Sequence, residues 1–400
     1  MALQRRLPEN IQGKQVSDDL DFIRGMAAVA VLIYHVRYRF FFDYADVPRP
    51  DWFCKLCYGF TSFGHDAVVI FFVLSGYFIS SSVIRDCAKE RWSWRRYAIN
   101  RLTRLYLVLL PGLLLTVFWD KLGIYFSPQH PIYTGIQQSW TSDYFDVASR
   151  LNGQTFIANA FFLQTILAPP LGSNDALWSL SYEFWYYVLF PLLWIALVMR
   201  PGFLRSIFGI ALAVILLKFV GPSIAIYFPI WLLGTAVAIM PLIGGLKNSQ
   251  SRWSSWFVIA AFCLALSATH VGTIKRLAGG SQLNVDRVTA VLFAFALYVL
   301  LHNQSLANDG WFVRISRRLG AFSYTLYLTH LPLLVFLRAM WTAPTPWYVA
   351  PTTLLFSVVL ALICLLYADL VSQVTENKTA VVREFFVNRW LPHSEKIASH

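Results

Sequence analysis

Residues 20–36, LDFIRGMAAVAVLIYHV, decide the reading of this chain. The run is long and apolar enough to help cross a bilayer, yet it carries Asp21, Arg24 and His35. At about 100° and about 1.5 Å per residue, the steps from Arg24 to His35 return to nearly the same helix face, about 16 Å further along the axis. Both side chains are therefore expected on one seam facing a shared conduit. Ionisable groups inside a membrane are costly and face a cavity or a partner, so this seam is a candidate working site. Asp21 lies on the same face, three residues before Arg24, and is placed to pair with it; such a tie can be purely structural.

Composition agrees that lipid is the solvent. Of 400 residues, 57% are hydrophobic, 16% aromatic and only 14% charged, and the mean hydropathy is +0.54. A water-soluble fold is excluded on these grounds, and an all-α polytopic membrane helical bundle is expected. About ten transmembrane helices are readable, near residues 20–40, 60–84, 98–119, 178–199, 203–220, 223–243, 254–270, 287–302, 319–341 and 347–370. The apolar stretch 155–168 is too short to span and reads as re-entrant or interfacial. This divides the chain into an N-terminal segment (1–19), a membrane domain (20–370) and a tail (371–400).

With the N-terminus inside, 22 of the 33 Lys and Arg residues fall on the cytoplasmic side. That bias predicts a multi-pass protein of the plasma (inner) membrane with both termini cytoplasmic. The net charge of +12 is thereby explained by topology, and nucleic acid is not an expected partner. The first twenty residues are polar and no small-residue cleavage site follows, so no removable leader is expected. Cys54 and Cys57 form a CxxC that reads either as a disulfide or as two unrelated small residues. No residue pattern suggests a metal.

Further candidates come from the other spans. Asp66 enters the second span near the level of His35, with Ser75 and Gly76 about 14 Å deeper. Gly76 suits close approach of a helix or ligand, Tyr77 adds a hydroxyl beside it, and no base is placed next to Ser75 by spacing. Glu183, about a turn and a half below Trp178, is expected at the depth of His35, where it would orient the imidazole, meet an acceptor, or tie helices. His65 and His330, the latter near Tyr324 and Tyr327, read as packing or as site residues. Arg95 and Arg96 read as phosphate ligands, topology signals or lipid contacts. The region 120–177, with Asp143, Asp146 and Asp175, is either a carbohydrate contact or a capping loop.

Taken in order, five motifs resemble the acyltransferase 3 family of integral membrane acyltransferases over about residues 20–370. They are Arg24 with His35, FFVLSGYFIS with Ser75 and Gly76, the RxxR of Arg101 and Arg104, WSLSYEFWYYVLFP with Glu183, and FSYTLYLTHLP with His330. The resemblance implies transfer of an acyl group, acetyl above all, from acyl-CoA to a hydroxyl of a polysaccharide or glycolipid. It makes His35 the catalytic residue and Arg24 a residue required on its cytoplasmic side.

The candidate roles follow. His35, Glu183 and Asp66 are the catalytic candidates. Arg24, Arg101, Arg104, Ser75, Gly76 and Tyr77 are the donor-binding ones, and Asp21, His65, His330, Tyr327 and Trp178 support substrate or structure. A neutral imidazole is well suited to take a proton from an attacking hydroxyl near neutral pH. Guanidinium groups suit diphosphate and 3′-phosphate, and an extended pantetheine arm is comparable in length to the helix between Arg24 and His35. The chain departs from the family in reading SGY for the usual SGF, and the outer SGNH-hydrolase-like domain of some members is not expected here, so a separate partner completing delivery, like a homo-oligomer, stays open. A transporter or flippase for a lipid-linked sugar, using the same seam, is the alternative. Against it stand the lack of repeats and of paired broken helices.

Overall fold

Hydrocarbon offers no water to backbone N–H and C=O groups, so a chain this apolar satisfies them within helices. A computed structural model describes residues 14–135, 146–199, 202–240, 252–269, 281–302, 310–341 and 345–390. Its long helices are α1 (Lys14–Phe40), then, after the short α2 (Trp52–Phe60), α3 (Gly64–Ala88) and α4 (Trp94–Phe126). Three short helices follow, α5 (Pro131–Thr134), α6 (Val147–Arg150) and α7 (Gly153–Ala160). The chain continues through α8 (Trp178–Trp194), α9 (Phe203–Ile239), α10 (Arg252–Thr269), α11 (Gln282–His302), α12 (Trp311–Met340), α13 (Pro351–Val374) and α14 (Thr379–Trp390). No strand is assigned among the described residues.

Seven helical stretches among the described residues are long and apolar enough to cross a bilayer. The ten expected spans map onto them with three differences. The first, α1, is diluted by Asp18, Asp19, Asp21 and Arg24. The fifth and sixth run on as the single stretch α9, broken between them at Gly221, where the two spans were expected to part and whose non-helical φ of 80° is open to glycine at little cost. The seventh, α10, is apolar only over Ser255–Ala268.

Proline supplies the inter-helix ties. Pro191 in α8 and Pro332 in α12 lack the N–H that would cap the carbonyls of Tyr187 and Leu328. The freed carbonyls are taken by the Tyr97 hydroxyl at 2.9 Å and by Asn174 Nδ2 at 2.9 Å. The second of these draws the loop before α8 down onto α12. Asp120, fully buried, accepts from the Ser173 amide at 2.8 Å and its hydroxyl at 2.6 Å, pinning the same loop to α4. Residues 155–168 form the end of α7 and a tight turn in which the Phe162 carbonyl accepts from Ser181 and Trp185 of α8. Burial, and then the nearby Arg338, push the His130 imidazole down to about 4, which leaves its Nδ1 free to accept the Ile132 amide and start α5.

The described part of 120–177 thus behaves as a packed cap. Asp146 caps α6 through the Ser149 amide, and Asp175 pairs with Arg150 at 3.3 Å. Asp143 falls outside the described residues. The five cysteines are all free thiols, with Cys54 and Cys57 on α2.

The pairing of α1 with α12 places the site. Asp18 meets Arg317 through two hydrogen bonds of 2.6 and 2.7 Å, Arg24 meets Gly320 and Ser323, His35 meets His330, and the Arg39 carbonyl meets Arg338. The partners rise together along both helices, so α1 and α12 run parallel. Small residues allow the close fit: a Cβ on Gly25 would lie 2.6 Å from Leu319 Cβ, and one on Gly320 would lie 2.7 Å from Asp21 Cβ. At the far end the Trp347 amide bonds the Phe40 carbonyl at 2.7 Å.

Candidate active site

Two cavities flank this helix pair. The first, about 850 Å³ of atom-free space counting its open mouth, is lined by Arg24, Arg101, Arg104, Ser75 and Glu183, with Phe, Leu and Tyr side chains between them. Arg24 enters it already anchored: Nε donates to Ser323 at 3.0 Å, Nη2 donates to the Gly320 carbonyl at 2.6 Å, and Asp21 lies 3.2 Å away. The expected Asp21–Arg24 tie is therefore present. Arg104 has Glu183 and Glu376 within electrostatic reach, and Arg101 packs its guanidinium over the Tyr97 ring, 5.5 Å from its centre. Three guanidinium groups converge here between aromatic walls, a charge and donor arrangement that suits an anion.

The second cavity, about 720 Å³ including its mouth, is lined by His35, His65, Arg39, Asp175, Trp178 and Tyr327, among others. His35 Nδ1 lies 2.9 Å from His330 Nε2, and His330 Nδ1 lies 2.7 Å from the Leu326 carbonyl. His65 is held differently. Its Nε2 is 3.0 Å from Asp286 on α11, which also accepts from Tyr227 at 2.6 Å and Gln282 at 2.9 Å. The Trp178 ring stacks on His65 with centroids 6.1 Å apart.

The expectation of one conduit for Arg24 and His35 needs correction. The groups lie in separate chambers, back to back, with Val68 and Tyr327 lining both. Tyr327 is held in this wall by a 2.7 Å hydrogen bond to Ser179. Arg24 and His35 are about three turns apart on α1, and Tyr327 of α12 contributes to the lining of both cavities.

Several candidates sit elsewhere than the spacing suggests. Glu183 faces the arginine chamber and not His35: it accepts from Ser75 at 3.1 Å and from Tyr187. Trp178 lines the His35 cavity, and Glu183 lies five residues further along α8, about 7.5 Å down its axis. Asp66 lines neither chamber and accepts from Thr289 of α11 at 3.0 Å. Gly76 meets the backbone of Trp231, and Gly234 meets the backbone around Val73 and Tyr77. Gly76 is thus half of a glycine crossing between α3 and α9, and Tyr77 is buried beside that crossing. Arg96 donates to the Arg91 carbonyl and lies 3.7 Å from Asp86, away from both chambers. Arg95 borders an apolar groove between α4 and α14.

Asp286, Glu376, Ser179, Tyr187 and Ser323 are site residues that sequence reasoning misses. Asp286 gave little signal, since it lies among Gln282, Asn284 and Arg287 at the polar start of α11. Glu376 had none, since it lies beyond the last span; it accepts from the Thr325 amide and hydroxyl at 3.0 Å each.

A family profile described as an acyltransferase domain matches residues 17–368. The chain belongs to the acyltransferase 3 family. It is 29% identical to an O-acetyl transferase of Shigella phage Sf6 over 176 residues, 43% of this chain and 44% of that one. It is 27% identical to the acyltransferase MdmB of Streptomyces mycarofaciens over 337 residues, 77% of this chain and 76% of that one. The chain thus covers less than half the length of the phage relative. No solved structure matches. With its apolar helices, the chain is a multi-pass membrane member of that family.

Proposed function

We propose that the protein transfers an acyl group, acetyl as the first candidate, from acyl-CoA to a hydroxyl of a polysaccharide or glycolipid. The observation that supports this most directly is the back-to-back arrangement: a three-arginine chamber and a histidine chamber that share Val68 and Tyr327 as a wall. Arg24, Arg101 and Arg104 would hold the phosphates of the donor, and the aromatic lining would cover its arm. Acyl-CoA supplies an activated thioester. His35 accepts the proton of the acceptor hydroxyl as its oxygen bonds to the acyl carbon, the carbon–sulfur bond breaks, and the proton ends on the released thiol.

The donor would enter from the cytoplasm, where the excess of basic residues and both termini would lie, and the acceptor would reach His35 from the opposite side of the plasma membrane. Because the chambers are separated, transfer requires Tyr327 and Val68 to yield when both substrates are bound. The similarity to the O-acetyl transferase of Shigella phage Sf6 supports an acetyl donor and a hydroxyl acceptor.

Purified protein given labelled acetyl-CoA and a cell-envelope glycan extract is expected to release CoA only when the extract is present. His35→Ala is expected to abolish release while inserting normally. Sugar translocation without CoA consumption, or full transfer by His35→Ala, refutes the proposal.

A further inference from the structure

We infer that His330 is a positioning residue that fixes His35 in the tautomer carrying hydrogen on Nδ1, so that its Nε2 is the lone-pair nitrogen. The inference rests on the acyltransferase reading only for its kinetic consequence; the tautomer itself is a matter of hydrogen-bond bookkeeping.

The chain of deductions begins at a group with no choice. The Leu326 carbonyl can only accept, and it lies 2.7 Å from His330 Nδ1, so that nitrogen carries the hydrogen. In a neutral ring Nε2 then holds a lone pair. This Nε2 is 2.9 Å from His35 Nδ1, and two lone pairs would repel at that distance, so His35 Nδ1 donates. His35 Nε2 is left as the acceptor. Protonating His330 a second time would reverse the contact: its Nε2–H would donate to His35 Nδ1, force hydrogen onto His35 Nε2, and leave no free lone pair.

Burial makes the assignment firm. His330 is fully buried in α12, so no water competes for its nitrogens, whereas His35 is only half-buried and lines the second chamber. No described residue is hydrogen-bonded to His35 Nε2. An unassisted neutral histidine in water prefers hydrogen on Nε2, the form that cannot take a proton there. His330 thus does with an imidazole what a carboxylate does behind the histidine of serine proteases, where the wrong tautomer costs about 10⁴ in kcat. A neutral partner holds the ring less strongly, and a loss of at least about 100-fold is expected here.

Nitrogen-15 NMR of histidine-labelled full-length protein in lipid nanodiscs tests this, with the His35 signals assigned by their loss in His35→Gln. In the unsubstituted protein His35 is expected to show a protonated Nδ1 and a bare Nε2. In His330→Leu the pattern is expected to reverse, with kcat for acetyl transfer to a cell-envelope glycan extract falling at least 100-fold and KM for acetyl-CoA within twofold of its original value. His330→Gln, whose Oε1 can accept from His35 and whose amide can donate to Leu326, is expected to keep the tautomer and recover most of the rate.

Hydrogen on His35 Nε2 in the unsubstituted protein, a tautomer unmoved by His330→Leu, or full kcat despite a reversed tautomer overturns the inference. If His330→Leu does not fold, the spectra of the unsubstituted protein and of His330→Gln decide alone. Failure of the acyltransferase reading is seen separately, as no acetyl-CoA consumption by the unsubstituted protein.

Discussion

Replacing Arg24 by Lys separates charge from geometry in the three-arginine chamber that we propose holds the donor. The Arg24 guanidinium is fixed by two of its nitrogens, Nε on Ser323 at 3.0 Å and Nη2 on Gly320 at 2.6 Å, with Asp21 at 3.2 Å. A planar fork anchored on that side can present its remaining N–H groups to the chamber in a set direction. A lysine ammonium keeps the charge and can still pair with Asp21, but a single nitrogen cannot bond Ser323 and Gly320 and also reach a phosphate. The expected loss is one charge-assisted hydrogen bond to the donor, about 1.5–3 kcal/mol, which corresponds to about a 10- to 150-fold rise in KM for acetyl-CoA. Because Asp21 is not left unpaired, the thermal midpoint in detergent should fall little, whereas Arg24→Ala should lower it clearly. Initial rates against acetyl-CoA concentration at fixed glycan measure the effect. An unchanged KM in Arg24→Lys removes Arg24 from donor binding and leaves it as a tie between α1 and α12.

Gly76→Ala should destabilise the protein by about 1–3 kcal/mol, since the new methyl meets the Trp231 backbone and not a side chain that can turn away; a thermal midpoint unchanged with donor binding lost would restore Gly76 to the donor site. Tyr327→Ala removes the ring shared by both chambers and should raise acceptor-independent hydrolysis of acetyl-CoA relative to transfer, read as CoA release with and without glycan. An unchanged ratio refutes the wall. Asp286→Asn weakens the hold on His65 and Tyr227 and should raise KM for the glycan about tenfold, a change of about 1.4 kcal/mol, while leaving KM for acetyl-CoA alone. A shift in the donor KM instead would place His65 on the wrong side of the wall.

What could be read from the chain was what depends on local spacing. The apolar runs marked the helices, the three-residue step from Asp21 to Arg24 marked an ion pair, and the eleven-residue step to His35 marked a common face. What could not be read was whatever depends on how two helices are set against each other. Spacing alone suggests that Glu183 shares the depth of His35, but it is Trp178 that lines the His35 cavity, and Glu183, about 7.5 Å further along α8, meets Ser75 and lines the arginine cavity. Gly76 looks the same in sequence whether it admits a ligand or another helix; only the reciprocal Gly234 distinguishes the two. Tyr327 carries no mark of a partition, because a tyrosine on an apolar helix is ordinary until cavities open on both of its sides.

The parallel course of α1 and α12 explains why the motifs on these two helices are inseparable. Arg24 and His35 are held apart by the fixed rise of α1, and their partners Ser323 and His330 by that of α12. The Asp18–Arg317 pair at one end and the hydrogen bond from Arg338 to the Arg39 carbonyl at the other oppose sliding of the two helices past one another, and the glycine contacts at Gly25 and Gly320 leave no slack between them. A movement that opened the wall by shifting α12 along α1 would therefore loosen the Arg24 anchor and break the His35–His330 bond together. Opening must come from the Tyr327 side chain and its bond to Ser179 of α8, or from α3 carrying Val68. The Arg24 anchor and the His35–His330 contact then persist while the partition yields, and under the proposed acyl transfer that would let a thioester held in one chamber meet a base already aligned in the other.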